Sequence, residues 1–246
     1  VEGALWEQVT LGESGALVYR LRDSVETRYL KVEPRRPGGE LHAEAERLRW
    51  LQGRLPAPAP RYTGEDERHT YLLTSELPGA DASDERWQSD PARLVALLAE
   101  SLLLIHRQPV AGCPFDQRLH TELARAAANV SDGVVKTDDF DEERAGRSPA
   151  SLLDELHATR PPDEELVLTH GDYCFPNVVI DGWALSGFID LGRCGVADRY
   201  HDLAQAARSV RRTLGERWVA PFFAAYDIAE PNEAKLRYYQ LLDELF

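Results

Sequence analysis

The 246-residue chain contains no stretch of about 18 consecutive apolar residues, so no segment of it is expected to cross a membrane as a helix. It is also short of basic residues, with 28 Lys and Arg against 42 Asp and Glu, for a net charge of −14. Phosphate backbones are gripped by basic patches, so no nucleic-acid partner is expected. The same balance suits a cationic ligand or simply a soluble acidic surface. The three cysteines, Cys113, Cys174 and Cys194, are odd in number and show no metal-ligand spacing. That usage fits a reduced cytoplasm. The opening VEGALWEQV lacks the basic and apolar regions of a signal peptide, which also points to the cytoplasm. No GxxxxGK[ST] loop occurs, against a P-loop enzyme, and the seven histidines include no HExxH, against a zinc hydrolase.

Hydrophobic residues at 43% and charged residues at 28% are ordinary for a globular protein, and the length allows one large domain or two small lobes. No internal repeat or low-complexity tract interrupts the chain. In the first 75 or so residues, GALVYRLR and TRYLKVE alternate as strands and YLLTSEL forms a more continuous one. Between them, residues 39–52 place Leu41, Ala45, Leu48 and Leu51 at helical spacing, and LPAPAP follows as a stiff connector. Beyond ELPGAD the pattern turns helical. Asp90-Pro91 starts a helix with Pro at its first position, and further helices are expected near 119–130 and 149–159 and from about Tyr200, Trp218 and Pro231. Residues 131–148 form a polar loop, and a β-hairpin is expected to turn at Asp181-Gly182. The fold class is therefore α+β, with a small strand-rich lobe over 1–77 and a larger helical lobe over 78–246.

Two neighbouring stretches, LTHGDYCFPNVVI and SGFIDLGRCGVADRYHDLA, concentrate polar groups beside apolar strands. Asp172 and Asn177 have the D-x-x-x-x-N spacing of a kinase catalytic loop, and Asp190 follows the next strand. Taken alone, the Asp–Asn spacing reads better as the turn and capping chemistry of a hairpin. The set of His170, Gly171, Asp172, Asn177 and Asp190 in this order favours phosphoryl transfer. That reaction needs one carboxylate to orient or deprotonate the attacking hydroxyl, here Asp172, and an amide and a carboxylate to hold Mg²⁺, here Asn177 and Asp190.

The N-terminal lobe offers an independent test. Tyr29 and Lys31 share one face of the strand RYLKV. Glu44 is three residues after Leu41 and four before Leu48, so its carboxylate falls in an apolar stripe and needs a cation. Lys31 is the nearest candidate, and such a pair fixes the α- and β-phosphates in kinases. A snorkelling Lys with a rim Glu is the plainer alternative. Gly12-Glu13-Ser14-Gly15 lies between strands, as a simple hairpin or a phosphate-covering loop.

HGDYCFPN, GFIDLGRCGVADRYHDLA and the terminal YYQLLDELF strongly resemble the aminoglycoside 3′-phosphotransferase family, and the resemblance runs over essentially the whole chain. It implies a protein-kinase-like two-lobe fold and transfer of the ATP γ-phosphate, with Mg²⁺, to the 3′-hydroxyl of antibiotics such as kanamycin and neomycin, conferring resistance. GTP as donor is left open. By position, Tyr29 would stack on adenine, Ser75 and Leu77 would offer it backbone contacts, and Ser14 would touch phosphate. A monomer or weak dimer is expected. Competing readings are a kinase of the same fold acting on another small hydroxyl compound, and a catalytically dead nucleotide-binding module.

Aminoglycosides are polycations, so their site must concentrate negative charge. The loop holds five carboxylates within residues 138–143, which is either a solvated loop or a cover for the antibiotic. The resemblance implies contacts from Asp138, Asp139 and Asp141. Asp243, Glu244 and the carboxylate of Phe246 crowd the negative pole of the last helix, where each anion costs about 0.3–1 kcal/mol. Fraying or a bound polycation would relieve that cost, and the family grips its substrate at these positions. Arg193 and Arg208 could steady phosphate or substrate, or be ordinary ion-pair residues. Asp198 and Asp202, near the start of the helix at Tyr200, suit capping or loop bracing. Arg212 stands where the family usually carries a Glu, and it is expected to pair with Glu216 four residues on.

Overall fold

The computed structural model describes residues 4–9, 16–35 and 39–246. They form two compact units, one from residues up to 82 together with 176–193, the other from 83–175 and 194–246. The main sheet of the first unit is antiparallel, in the order β1-β2-β3-β5-β4: β1 (Leu5–Val9), β2 (Leu17–Arg22), β3 (Thr27–Pro34), β4 (Pro60–Glu65) and β5 (His69–Ser75). The central three coincide with the two alternating stretches and the more continuous one expected from the sequence. β1 and β4 are the edges, where a strand needs pairing on one side alone. β4 therefore tolerates Pro60 at its start and Gly64 within it.

Helix α1 (Glu40–Leu51) lies against β3, β4 and β5 and buries Leu41, Ala45, Leu48 and Leu51. Each leucine so buried contributes about 1.5–3 kcal/mol, which holds a helix whose own mean hydropathy is low. A second sheet in this unit joins β6 (Ala80–Asp81), β8 (Val178–Asp181) and β9 (Ala184–Phe188). The β8–β9 hairpin forms as expected, but Asp181 pairs with Ala184, so its turn is Gly182-Trp183 and not Asp181-Gly182. Both turn residues have positive φ, 57° and 63°, as a type I′ turn requires. Glycine takes that conformation without steric cost, and Asp181 stays in the ladder.

The second unit is mainly helical: α2 (Pro91–His106), α3 (Leu119–Asp132), α4 (Pro149–Ala158), α5 (Tyr200–Leu214), α6 (Val219–Ala225) and α7 (Glu233–Asp243). Start signals are where the sequence puts them. Asp90 accepts a hydrogen bond from the Arg93 amide, Ser148 from that of Ser151, and Asn232 from those of Ala234 and Lys235. α2 packs on α6 and α5 on α7, around Leu98, Leu102, Leu203, Val210, Phe222 and Leu242. An antiparallel pair, β7 (Leu166–Thr169) with β10 (Gly195–Asp198), completes the unit. The polar loop 131–148 contains two 3₁₀ turns, Thr137–Asp139 and Glu142–Arg144. Among the described residues, no helix is long and apolar enough to cross a membrane.

Candidate active site

Asp172 sits on a short arch after β7, and that arch is fixed from below. In the first turn of α5, Asp202 is fully buried; its Oδ2 accepts the His170 amide at 2.7 Å and its Oδ1 the Gly171 amide at 2.9 Å. His106 Nε2 lies 3.0 Å from the same Oδ2, and His106 Nδ1 lies 2.5 Å from the Tyr226 hydroxyl. Burial pushes the Asp202 carboxyl up, but the hydrogen bond from His106 and the nearby His106, His170 and His201 outweigh it and hold it below its ordinary value. Gly171 turns the arch at φ 91°, where a side chain would be strained. The Asp172 amide then donates to His170 Nδ1 at 3.3 Å. Farther along, the Tyr173 hydroxyl donates to the Leu98 carbonyl at 2.7 Å, and the Phe175 amide to Ser209 Oγ at 3.0 Å. Asp172 is thus a half-buried carboxylate on a rigid loop. Asp198 and Asp202 are both structural, as expected, with different tasks. Asp198 accepts the Tyr200 amide at 3.0 Å and Lys235 Nζ at 2.9 Å, whereas Asp202 braces the loop.

In the first unit, Lys31 Nζ donates to Glu44 Oε1 at 2.8 Å and Oε2 at 2.9 Å, and also to Asp190. The cation required by the buried Glu44 is therefore present. Burial works against the Lys31 charge, but Glu44 and Asp190 outweigh it and hold its pKa above the usual lysine value. Burial, joined by Asp190, pushes the Glu44 carboxyl up despite Lys31, because two carboxylates share one ammonium. Asp190 has φ 56°, an unusual backbone for a non-glycine residue. The preceding Ile189 amide donates to the Asn177 carbonyl at 3.0 Å, which ties Asn177 to the segment that carries Asp190. An amide and a carboxylate oxygen are the hard donors that Mg²⁺ takes, leaving most of an octahedral shell to water and phosphate. Among the described residues no cluster of three His, Cys, Asp or Glu side chains forms a ready-made metal cage.

The other residues expected on the nucleotide side are distributed unevenly. Tyr29 is half-buried on β3, two residues from Lys31 on the same face, and burial pushes its hydroxyl up. Ser75 is tied to Ala59: its amide donates to the Ala59 carbonyl at 2.9 Å, and its hydroxyl accepts the Ala59 amide at 2.9 Å. A backbone contact from Ser75 to a ligand therefore cannot come from its amide. Leu77 lies between β5 and β6, and Arg193 closes the 3₁₀ turn Leu191–Arg193 directly after Asp190. Ser14 lies outside the described residues.

The acidic positions of the second unit fall into two groups. Asp138 and Asp139 are exposed on the turn Thr137–Asp139, with no ion-pair partner among the described residues. Asp141, Asp243 and Glu244 are instead met by arginines. Asp141 Oδ2 is 3.2 Å from Arg144 Nη1 and 3.6 Å from Arg208 Nη1, and its Oδ1 pairs with Arg212. Asp243 pairs with Arg208, which also donates to Gln205 at 2.6 Å. Glu244 is buried; its Oε1 accepts Arg144 Nη1 at 3.0 Å and its Oε2 the Asp141 amide at 3.2 Å. Burial and the neighbouring Asp141 push the Glu244 carboxyl up, and Arg144 opposes them. The crowding at the end of α7 is thus relieved by Arg144 and Arg208, without fraying of the helix. Phe246 lies with its ring 5.9 Å from the Arg125 guanidinium, and the Leu245 carbonyl accepts Asn129 Nδ2 at 2.8 Å.

One expected pair is different. Arg211, not Arg212, binds Glu216, and Arg212 reaches Asp141. α5 ends at Leu214 and Gly215 breaks the helix with φ 95°, so Glu216 is no longer on the face that an i,i+4 rule assigns to it.

A model of the phosphotransferase enzyme family matches residues 6–239. The chain is 39% identical to the aminoglycoside 3′-phosphotransferase of Streptomyces fradiae, an alignment that covers 98% of this chain and 95% of that protein. The crystal structure of aminoglycoside-3′-phosphotransferase of type VIII superposes with a TM-score of 0.92 at 38% identity, covering 100% of this chain and 95% of the other. Aminoglycoside phosphotransferase APH(3'')-Id from Streptomyces rimosus, in complex with ADP and streptomycin, superposes with a TM-score of 0.84 at 31% identity, covering 98% of this chain and 92% of the other.

Proposed function

The chain belongs to the aminoglycoside 3′-phosphotransferases of the phosphotransferase enzyme family, and from that premise we propose that it transfers the γ-phosphate of ATP to the 3′-hydroxyl of aminoglycoside antibiotics, conferring resistance. The observation that carries the reading is the shared ammonium of Lys31 between Glu44 and Asp190, with Asn177 tied alongside. A buried Glu that orients a Lys, next to an oxygen-donor pair, is the equipment for a triphosphate. Asp172 aligns the hydroxyl and accepts its proton as the oxygen–phosphorus bond forms and the bond to the β-phosphate oxygen breaks, releasing ADP. Asn177 and Asp190 would hold Mg²⁺, which when bound neutralises phosphate charge. Tyr29 presents a ring to adenine, with Ser75 and Leu77 at its edge, and Ser14 and Arg193 attend the phosphates. Asp138 and Asp139, exposed and without ion-pair partners among the described residues, attract the ammonium groups, and Asp141, Arg208, Asp243, Glu244 and Phe246 shape the rest of the substrate side. We place the reaction in the cytoplasm, where the thiols of Cys113, Cys174 and Cys194 stay reduced.

Two experiments test this reading. An aminoglycoside lacking only its 3′-hydroxyl should bind but release no ADP above background, whereas kanamycin should turn over. Equal turnover of both would move the transfer to another hydroxyl. That is the second reading worth carrying, since the S. rimosus relative bound to streptomycin is named APH(3''). For the donor, Glu44→Gln should raise KM for ATP by about tenfold or more, because a charge-assisted hydrogen bond is worth roughly 1.5–3 kcal/mol. Changes in kcat should be smaller. An unchanged KM for ATP, measured at saturating aminoglycoside, would show that Lys31 needs no holding.

A further inference from the structure

Three guanidinium groups converge on Asp141, but they are not equivalent. Arg144 is buried and also holds Glu244. Arg208 is mostly buried and also holds Asp243 and Gln205. Both belong to the framework. The side chain of Arg212 is 62% exposed, and Asp141 is its sole ion-pair partner among the described residues. It can swing into solvent at the loss of one pair.

The local charge makes that movement matter. Arg144, Arg208 and Arg212 balance Asp141, Asp243 and Glu244, three charges against three. Withdrawal of Arg212 leaves the cluster with a net charge of −1, two residues along the chain from the exposed Asp139. A guanidinium and an alkylammonium satisfy a carboxylate through the same charge-assisted hydrogen bonds. We propose that Arg212 is an internal counter-ion for Asp141 that a substrate ammonium displaces, so that Arg212 sets how tightly polycationic substrates bind. The inference rests on the reading above, in which the acidic loop receives the aminoglycoside. It concerns uniform binding, because the pair is broken in the ground state and stays broken in the transition state. KM moves and kcat does not.

The test is a double-mutant cycle read by calorimetric titration of the polyamine neamine. Arg212→Gln should tighten binding by about two- to fivefold, the size set by a partly exposed ion pair. In the Asp141→Asn background the same change should have no effect. Arg212→Lys keeps the charge and should leave affinity at the wild-type level; it also serves as the control for any change in folding. The proposal is overturned if Arg212→Gln leaves the affinity unchanged, if its gain persists without the Asp141 carboxylate, or if the lysine variant gains as much as the glutamine one. Phosphorylation of neamine by the wild-type enzyme separates the two levels. Turnover without any Arg212 effect removes this inference alone, whereas absence of both binding and turnover removes it together with the functional reading.

Discussion

Replacing Asp172 by alanine is expected to lower kcat by about 10²–10⁴-fold, the usual contribution of a positioned general base, with KM for ATP nearly unchanged. The separation of the two constants follows from what holds the loop. The arch is fixed by the Asp202 carboxylate under His170 and Gly171, by Tyr173 on the Leu98 carbonyl and by Ser209 on the Phe175 amide. Those bonds use neither oxygen of Asp172. Of the groups assigned to nucleotide, Glu44 and Asp190 are each paired with Lys31. Loss of the Asp172 side chain should therefore leave the fold and the nucleotide site standing. The measurement is steady-state ADP release at saturating ATP and kanamycin, with thermal unfolding as the check on folding. Turnover within tenfold of wild type would remove Asp172 from the base's role.

Local pattern and motif made much of this molecule legible. The apolar stripe of α1, with Glu44 inside it, predicted both the helix and a buried carboxylate in need of a cation, and Lys31 meets it. Asp90-Pro91 and the terminal helices were readable because caps and helical spacing are properties of adjacent residues. What escaped depends on distant partners. β1 and β4 lie at sheet edges, where pairing with β2 and β5 stabilises segments with no pattern of their own. The packing of 176–193 with the first unit rests on β8 pairing with β6, about a hundred residues earlier, a long-range ladder that no local period reports. The substrate side failed differently. The acidic runs at 138–143 and at Asp243-Glu244 were visible, but the arginines that neutralise part of them come from other elements. Net charge along a sequence records the acids of a cluster without recording their counter-ions.

Asp202 carries the other large expected effect, because it joins stability to catalysis. Its carboxylate accepts two amides and lies against His106 with no exposure to water. In Asp202→Asn one oxygen becomes an NH₂ group that faces an N–H donor, so one of the His170 and Gly171 amides is left unsatisfied and His106 loses its anionic partner. Leaving a buried amide unsatisfied costs about 1–3 kcal/mol, and a hydrogen bond to a charged group is worth about 1.5–3 kcal/mol, together a large part of the roughly 5–15 kcal/mol that keeps a domain folded. Chemical denaturation should show that loss. Any folded variant should also lose turnover, since a shift of about 1 Å at Asp172 can cost around 10²-fold. The pH dependence distinguishes this from a generic packing defect. The folded-state pKa of Asp202 lies below its ordinary value of 3.8, so the stability it contributes is present above that value and is lost as pH falls through the lower folded-state value. Wild type and Asp202→Asn should therefore differ most near neutrality and converge on acidification below about pH 4. A constant gap across that range, or a variant with wild-type stability at pH 7, would mean that the loop is braced by the surrounding packing and not by this carboxylate.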